Sequence, residues 1–109
     1  MSLHVTFHVD PSNVAAILKA LKPAYDAVIA EPECVFYEVY QSADTPGRIK
    51  FVENWNASVE WFLEVQVKKE YYKEYIETTT PMWVKPRQHE LYERAAGNEW
   101  VTVKDAMLK

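Results

Sequence analysis

Leu3, Val5, Phe7 and Val9 alternate with His4, Thr6 and His8, the period of two that a strand with chemically different faces imposes. Asp10-Pro11-Ser12 follows, joining a capping side chain to a proline in the first turn, and beyond it Val14, Ile17, Leu18, Leu21, Tyr25 and Val28 recur at helical spacing. Pro23 falls inside this helix and has no N–H to donate, so a kink or a break is expected there. Two runs rich in aromatic and β-branched residues, 34–42 and 48–56, read as strands. The turn signal Pro46-Gly47 between them predicts an antiparallel hairpin with a slightly open loop. From Ala57 to about Thr79 helical spacing returns in two parts: Val59, Phe62, Leu63 and Gln66, then, after a polar patch at 68–70, Tyr71, Tyr72, Tyr75 and Ile76. Gln88 to Glu93 reads as a fourth, weaker strand, and 94–109 as a tail without an assignable element.

The order βαββαβ is that of an α+β, ferredoxin-like fold with a four-stranded antiparallel sheet, and 109 residues suit one domain, with its core at about 3–93. Two helices on one face of such a sheet leave the other face bare. If Val5, Phe7 and Val9 face the helices, His4, Thr6 and His8 lie opposite them with large side chains from strands two and three. A face of limited polarity is then expected to be covered by a second copy, as a homodimer.

Composition narrows the partners. A net charge of −4 with scattered basic residues offers no field for nucleic acid. No apolar run is long enough to span a membrane. A single cysteine, Cys34, and an N-terminus without a basic-then-apolar leader suit a reducing, cytoplasmic setting. Seven Tyr and four Trp are the unusual feature, because they can furnish either a core or a pocket for a flat ligand.

Several motifs together resemble the antibiotic biosynthesis monooxygenase family: Cys34-Val35-Phe36-Tyr37-Glu38, the Pro46-Gly47-Arg48 turn, Glu53-Asn54-Trp55, and Tyr71-Tyr72-Lys73-Glu74-Tyr75. The resemblance extends over about residues 3–93 and implies a dimeric α/β barrel with one cavity per subunit between sheet and helices. It also implies a choice among oxidation of anthrones or quinols by molecular oxygen without cofactor, haem degradation, and sugar isomerisation. Many relatives place a His on the second helix. Counting forward from Trp55 reaches Glu64 and counting back from Tyr71 reaches Gln66, so a two-residue insertion separates the counts and neither position is histidine. The strand-one Asn of the haem-degrading branch corresponds to Val5, which disfavours that chemistry.

The candidate catalytic groups are therefore Glu64, Gln66 and Glu53, and the candidate substrate-binding residues are Tyr37, Trp55, Trp61, Phe62, Tyr72 and Tyr75. Each has a second reading. Trp55 is a cavity wall or a core residue, and the tyrosine stripe is pocket lining or packing. Glu38 and Glu53 are either cross-strand neighbours sharing a proton or partners of basic side chains. His4, His8 and His89 lack the spacing of a metal site and suit an interface, and Cys34 reads as a small buried residue. Three functions follow. The first is a cofactor-independent oxygenase of a small aromatic metabolite. The second is an isomerase or cyclase using the same base, and the third a non-catalytic ligand-binding barrel.

Overall fold

A computed structural model describes residues 1–105. Strand β1 (Ser2–Val9) leads through a 3₁₀ turn at Pro11–Asn13 into helix α1 (Val14–Ile29). Strands β2 (Cys34–Gln41) and β3 (Arg48–Trp55) form the hairpin. Helices α2 (Val59–Glu64) and α3 (Tyr71–Thr79) flank a second 3₁₀ turn at Gln66–Lys68, and strand β4 (Trp83–Tyr92) closes the chain. All three strand pairings are antiparallel, in the order β2-β3-β1-β4. This is the ferredoxin-like arrangement, with the second helical region divided as its polar patch predicts.

Local chemistry explains the element starts. Asp10 accepts from the backbone N–H and the hydroxyl of Ser12, and Ser58 accepts from the Trp61 N–H at the start of α2. Helix α1 shows no break at Pro23. It buries Ile17, Leu21, Ala24 and Val28 at spacings of four, three and four, and Pro23 itself lies on the exposed side, where the missing N–H is least costly.

The inward side chains form rows across the sheet. Tyr37, Glu53, Leu3 and Leu91 make one row, and Val39, Phe51, Val5 and His89 the next. The hydrophobic cluster built on Val5, Phe7, Ile17, Leu21, Ile49 and Phe51 fills one end of the space under the helices. Val28, Trp55 and Phe62 fill the other.

Three expectations need correction. Glu38 opposes Val52, whereas Glu53 opposes Tyr37, so the two glutamates lie on opposite faces and share no proton. The outer face carries the expected large side chains Phe36, Tyr40 and Val52, but it is more polar than expected, with Glu38, Lys50, Asn54, Gln88 and Glu90 beside His4, Thr6 and His8, because Tyr37, Val39 and Phe51 turn inward. Strand β4 begins five residues before the expected Gln88. Its Pro86 and its polar run hide it from a pattern search, and both are admissible because β4 is an edge strand. Residues 93–104 form no helix or strand, and Trp100 is 79% exposed.

Gly47 is required for a steric reason that the turn signal does not reveal. Its carbonyl accepts from the Val9 N–H at 2.9 Å, and a Cβ placed on it would lie 2.0 Å from the Val9 carbonyl oxygen. Gly47→Ala is expected to destabilise the protein by about 2 kcal/mol or more. Urea unfolding measures this, and an unchanged midpoint would show that the hairpin can move away from β1.

Candidate active site

Between the inner face of the sheet and the helices lies a cavity of about 300 Å³, lined mainly by apolar and aromatic side chains from all four strands, α1 and the two later helices. Among the described lining residues, the acidic and basic groups are Glu53, Arg87 and His89.

Glu53 is held there by the alternation of β3, which turns Ile49, Phe51, Glu53 and Trp55 inward together. It is 1% exposed, and its Oε1 accepts a hydrogen bond of 2.9 Å from the Trp55 indole Nε1. Burial pushes its carboxyl up to about 7, with the Trp55 bond the opposing influence. A carboxyl in that condition can hold or release a proton near neutrality, which an ordinary surface glutamate cannot.

Three phenols surround this group. Tyr37, Tyr72 and Tyr75 all line the cavity, and all are raised above the ordinary tyrosine value, first by burial and further by the nearby Glu53 charge, with the Arg87 charge opposing the rise at Tyr75. They remain neutral hydroxyls able to donate. Tyr75 accepts from Arg87 Nη1 at 3.0 Å, and Tyr72 accepts from Gln66 Nε2 at 2.7 Å.

The other sequence-derived candidates separate clearly. Phe62 is in the wall together with the tyrosines. Trp55 is 3% exposed and belongs to the core beneath the cavity, where Trp61 and Phe62 pack on it at centroid distances of 6.0 and 5.6 Å. Neither Trp55 nor Trp61 lines the cavity. Gln66 is wholly buried and supports the Tyr71 and Tyr72 hydroxyls from behind, so it positions the wall without forming it. Glu64 is exposed and outside the cavity, because it follows the inward Phe62 by two residues, more than half a helical turn. Cys34 has its thiol raised by burial, which disfavours a nucleophilic thiolate. His4 and His8 lie on the outer face, and His89 lines the cavity on the inner one. Arg87 was missed entirely, since nothing in Lys85-Pro86-Arg87-Gln88 marks an inward position.

The sequence model of the family described as antibiotic biosynthesis monooxygenase matches residues 1–78. The chain belongs to the antibiotic biosynthesis monooxygenase family. A protein of Pestalotiopsis microspora named as a candidate monooxygenase is 44% identical over 100 residues, which cover 92% of this chain and 83% of that one. Among solved structures, a candidate antibiotic biosynthesis monooxygenase from Nitrosomonas europaea superposes with a TM-score of 0.73 at 21% identity, covering 86% of this chain and 98% of the other. A conserved protein from Methanosarcina mazei gives a TM-score of 0.75 at 21% identity, covering 87% and 94%. At such identities the structural matches establish the fold of this family member, and the sequence matches establish the family.

The raised Glu53 value has a stability consequence. Its proton is held more tightly in the folded than in the unfolded chain, so its contribution is complete below the ordinary value of 4.5 and is lost as pH rises through about 7. Wild type should therefore lose about 3 kcal/mol relative to Glu53→Gln between pH 4.5 and pH 8. Urea midpoints across that range test it. Parallel pH profiles for the two proteins would mean that Glu53 titrates normally.

Proposed function

We propose that this protein is a cofactor-independent monooxygenase acting on a small electron-rich aromatic of the anthrone or quinol type. The observation that carries the reading is Glu53, a buried carboxyl raised to about 7 in the wall of an aromatic cavity. Membership of the monooxygenase family supplies the reaction class.

In this reaction Glu53 takes a proton from the activated CH₂ of the substrate, or from a phenolic O–H of a quinol. The bound substrate displaces water from the apolar cavity, and a tyrosine hydroxyl donates to the oxyanion that develops on the ring carbonyl. The resulting carbanion transfers one electron to dioxygen, and the two radicals combine to form a C–O bond. Protonation gives a hydroperoxide. Loss of water from it leaves a new ring carbonyl, so one oxygen atom enters the product and the other leaves as water. The protein contributes a base, donors and an apolar cavity, and the substrate itself supplies the electrons.

The dimer belongs to the same proposal. The half-buried outer face, with His4 packed on Tyr92 at 4.6 Å and His8 bonded to Gln88, is available to a second copy.

Oxygen uptake with an anthrone, followed beside product formation, tests the reading. Wild type should accelerate oxidation over buffer, with a rate that rises through about pH 7, and Glu53→Gln should reduce it by roughly 10²-fold or more. Turnover that persists under argon would assign the cavity to isomerisation or cyclisation, and no acceleration at all would leave a binding barrel.

A further inference from the structure

Arg87 is the second charged group of the cavity wall, and among the described residues no carboxylate pairs with it. The described ion pairs are Lys22–Asp26, Arg48–Asp44 and Lys69–Glu31, and none includes Arg87. Its described polar contact is the 3.0 Å bond from Nη1 to the Tyr75 hydroxyl, with the guanidinium also 5.8 Å from the centre of the Trp83 ring. A guanidinium carries five N–H donors, and most of these are left for another partner. Half-buried in the same wall as Phe51 and Tyr75, the guanidinium keeps its other nitrogens accessible, where an anionic group of a ligand can reach them.

Glu53 is not that anion. Burial dominates its titration and Trp55 is its hydrogen-bond partner, with no influence from Arg87 among the causes. Strand geometry explains the separation. Glu53 is on β3 in the row of Leu3, whereas Arg87 is on β4, two strands across and two rows along, near Phe7. Two strand spacings alone amount to about 10 Å. The pairing of β1 with β4 shifts register between Thr6 and His8, the irregularity that re-aims side chains at this point. The base and the cation thus occupy opposite sides of one apolar chamber, with His89 between their rows.

We infer that Arg87 is a subsite for a carboxylate borne on the aromatic ligand, placed so that the reacting carbon of the same molecule lies towards Glu53. The planar fork of the guanidinium matches a carboxylate with two parallel N–H···O bonds, and the Tyr75 hydroxyl and the Trp83 ring hold that fork in position. A ligand fixed at both ends has one orientation in the cavity, and a neutral analogue can enter either way round. This subsite rests on the proposed cavity as the place of reaction, but it concerns binding and can be tested without turnover.

The test uses two probes of one shape, anthraquinone-2-carboxylate and the neutral 2-(hydroxymethyl)anthraquinone, titrated against the intact protein by quenching of its intrinsic fluorescence. Wild type is expected to bind the carboxylate at least 10-fold more tightly, with a preference that shrinks as salt is raised. Arg87→Gln should erase the preference while keeping affinity for the neutral probe, and Arg87→Lys should keep part of it. Equal affinities in wild type, a preference retained by Arg87→Gln, or no binding of either probe would overturn the subsite. A carboxylate preference without oxygen uptake would leave the subsite standing and remove the oxygenase. Oxygen uptake without the preference would do the reverse.

Discussion

The hydrogen bond from the Trp55 indole to Glu53 is the interaction on which the site depends. It gives a carboxyl that is almost wholly removed from water one fixed partner, and a neutral N–H donor restrains the upward shift without cancelling it. A basic partner would have held Glu53 ionised at all working pH values. No partner at all would have left an unsatisfied acceptor in the core. The β3 alternation sets the pair on one face, two residues apart, and the aromatic contacts of Trp55 with Trp61 and Phe62 fix the indole.

The surrounding structure keeps space open above that pair. Helices α2 and α3 are separated by the Gln66–Lys68 turn, so Phe62 closes one end of the chamber while Tyr72, Tyr75 and Ile76 wall the other. Gln66 links the two parts by reaching from the turn to the Tyr71 and Tyr72 hydroxyls. Gln66, one of the two positions that counting along the chain offered for the family's helix histidine, therefore serves the wall's geometry, and the buried carboxyl of the chamber lies on the sheet instead.

Much of this was legible in the sequence. The β1 alternation and the two-part second helix followed from periodicity, because each has one face in the core, and the hairpin strands from their aromatic and β-branched content. Glu53 and the tyrosine stripe were legible for the same reason. Failures arose where burial is decided by tertiary packing. Glu64 and Gln66 could not be separated by counting, since the choice depends on the rotation of a six-residue helix fixed by Phe62. Trp55 and Trp61 carry the same chemistry whether they line a cavity or support it. Arg87 and His89 sit on an edge strand whose exposed positions outnumber its half-buried ones, so no alternation announces which way they point.

The protonation state of Glu53 can be read directly from the carboxylic-acid carbonyl stretch in the infrared spectrum, using Glu53→Gln to assign the band. A protonated band that persists at pH 6, disappears with a midpoint near 7 and is absent from the variant is the predicted result. A Glu53 band lost with a midpoint near the ordinary glutamate value of 4.5 would contradict it, and with it the assignment of this cavity to proton abstraction.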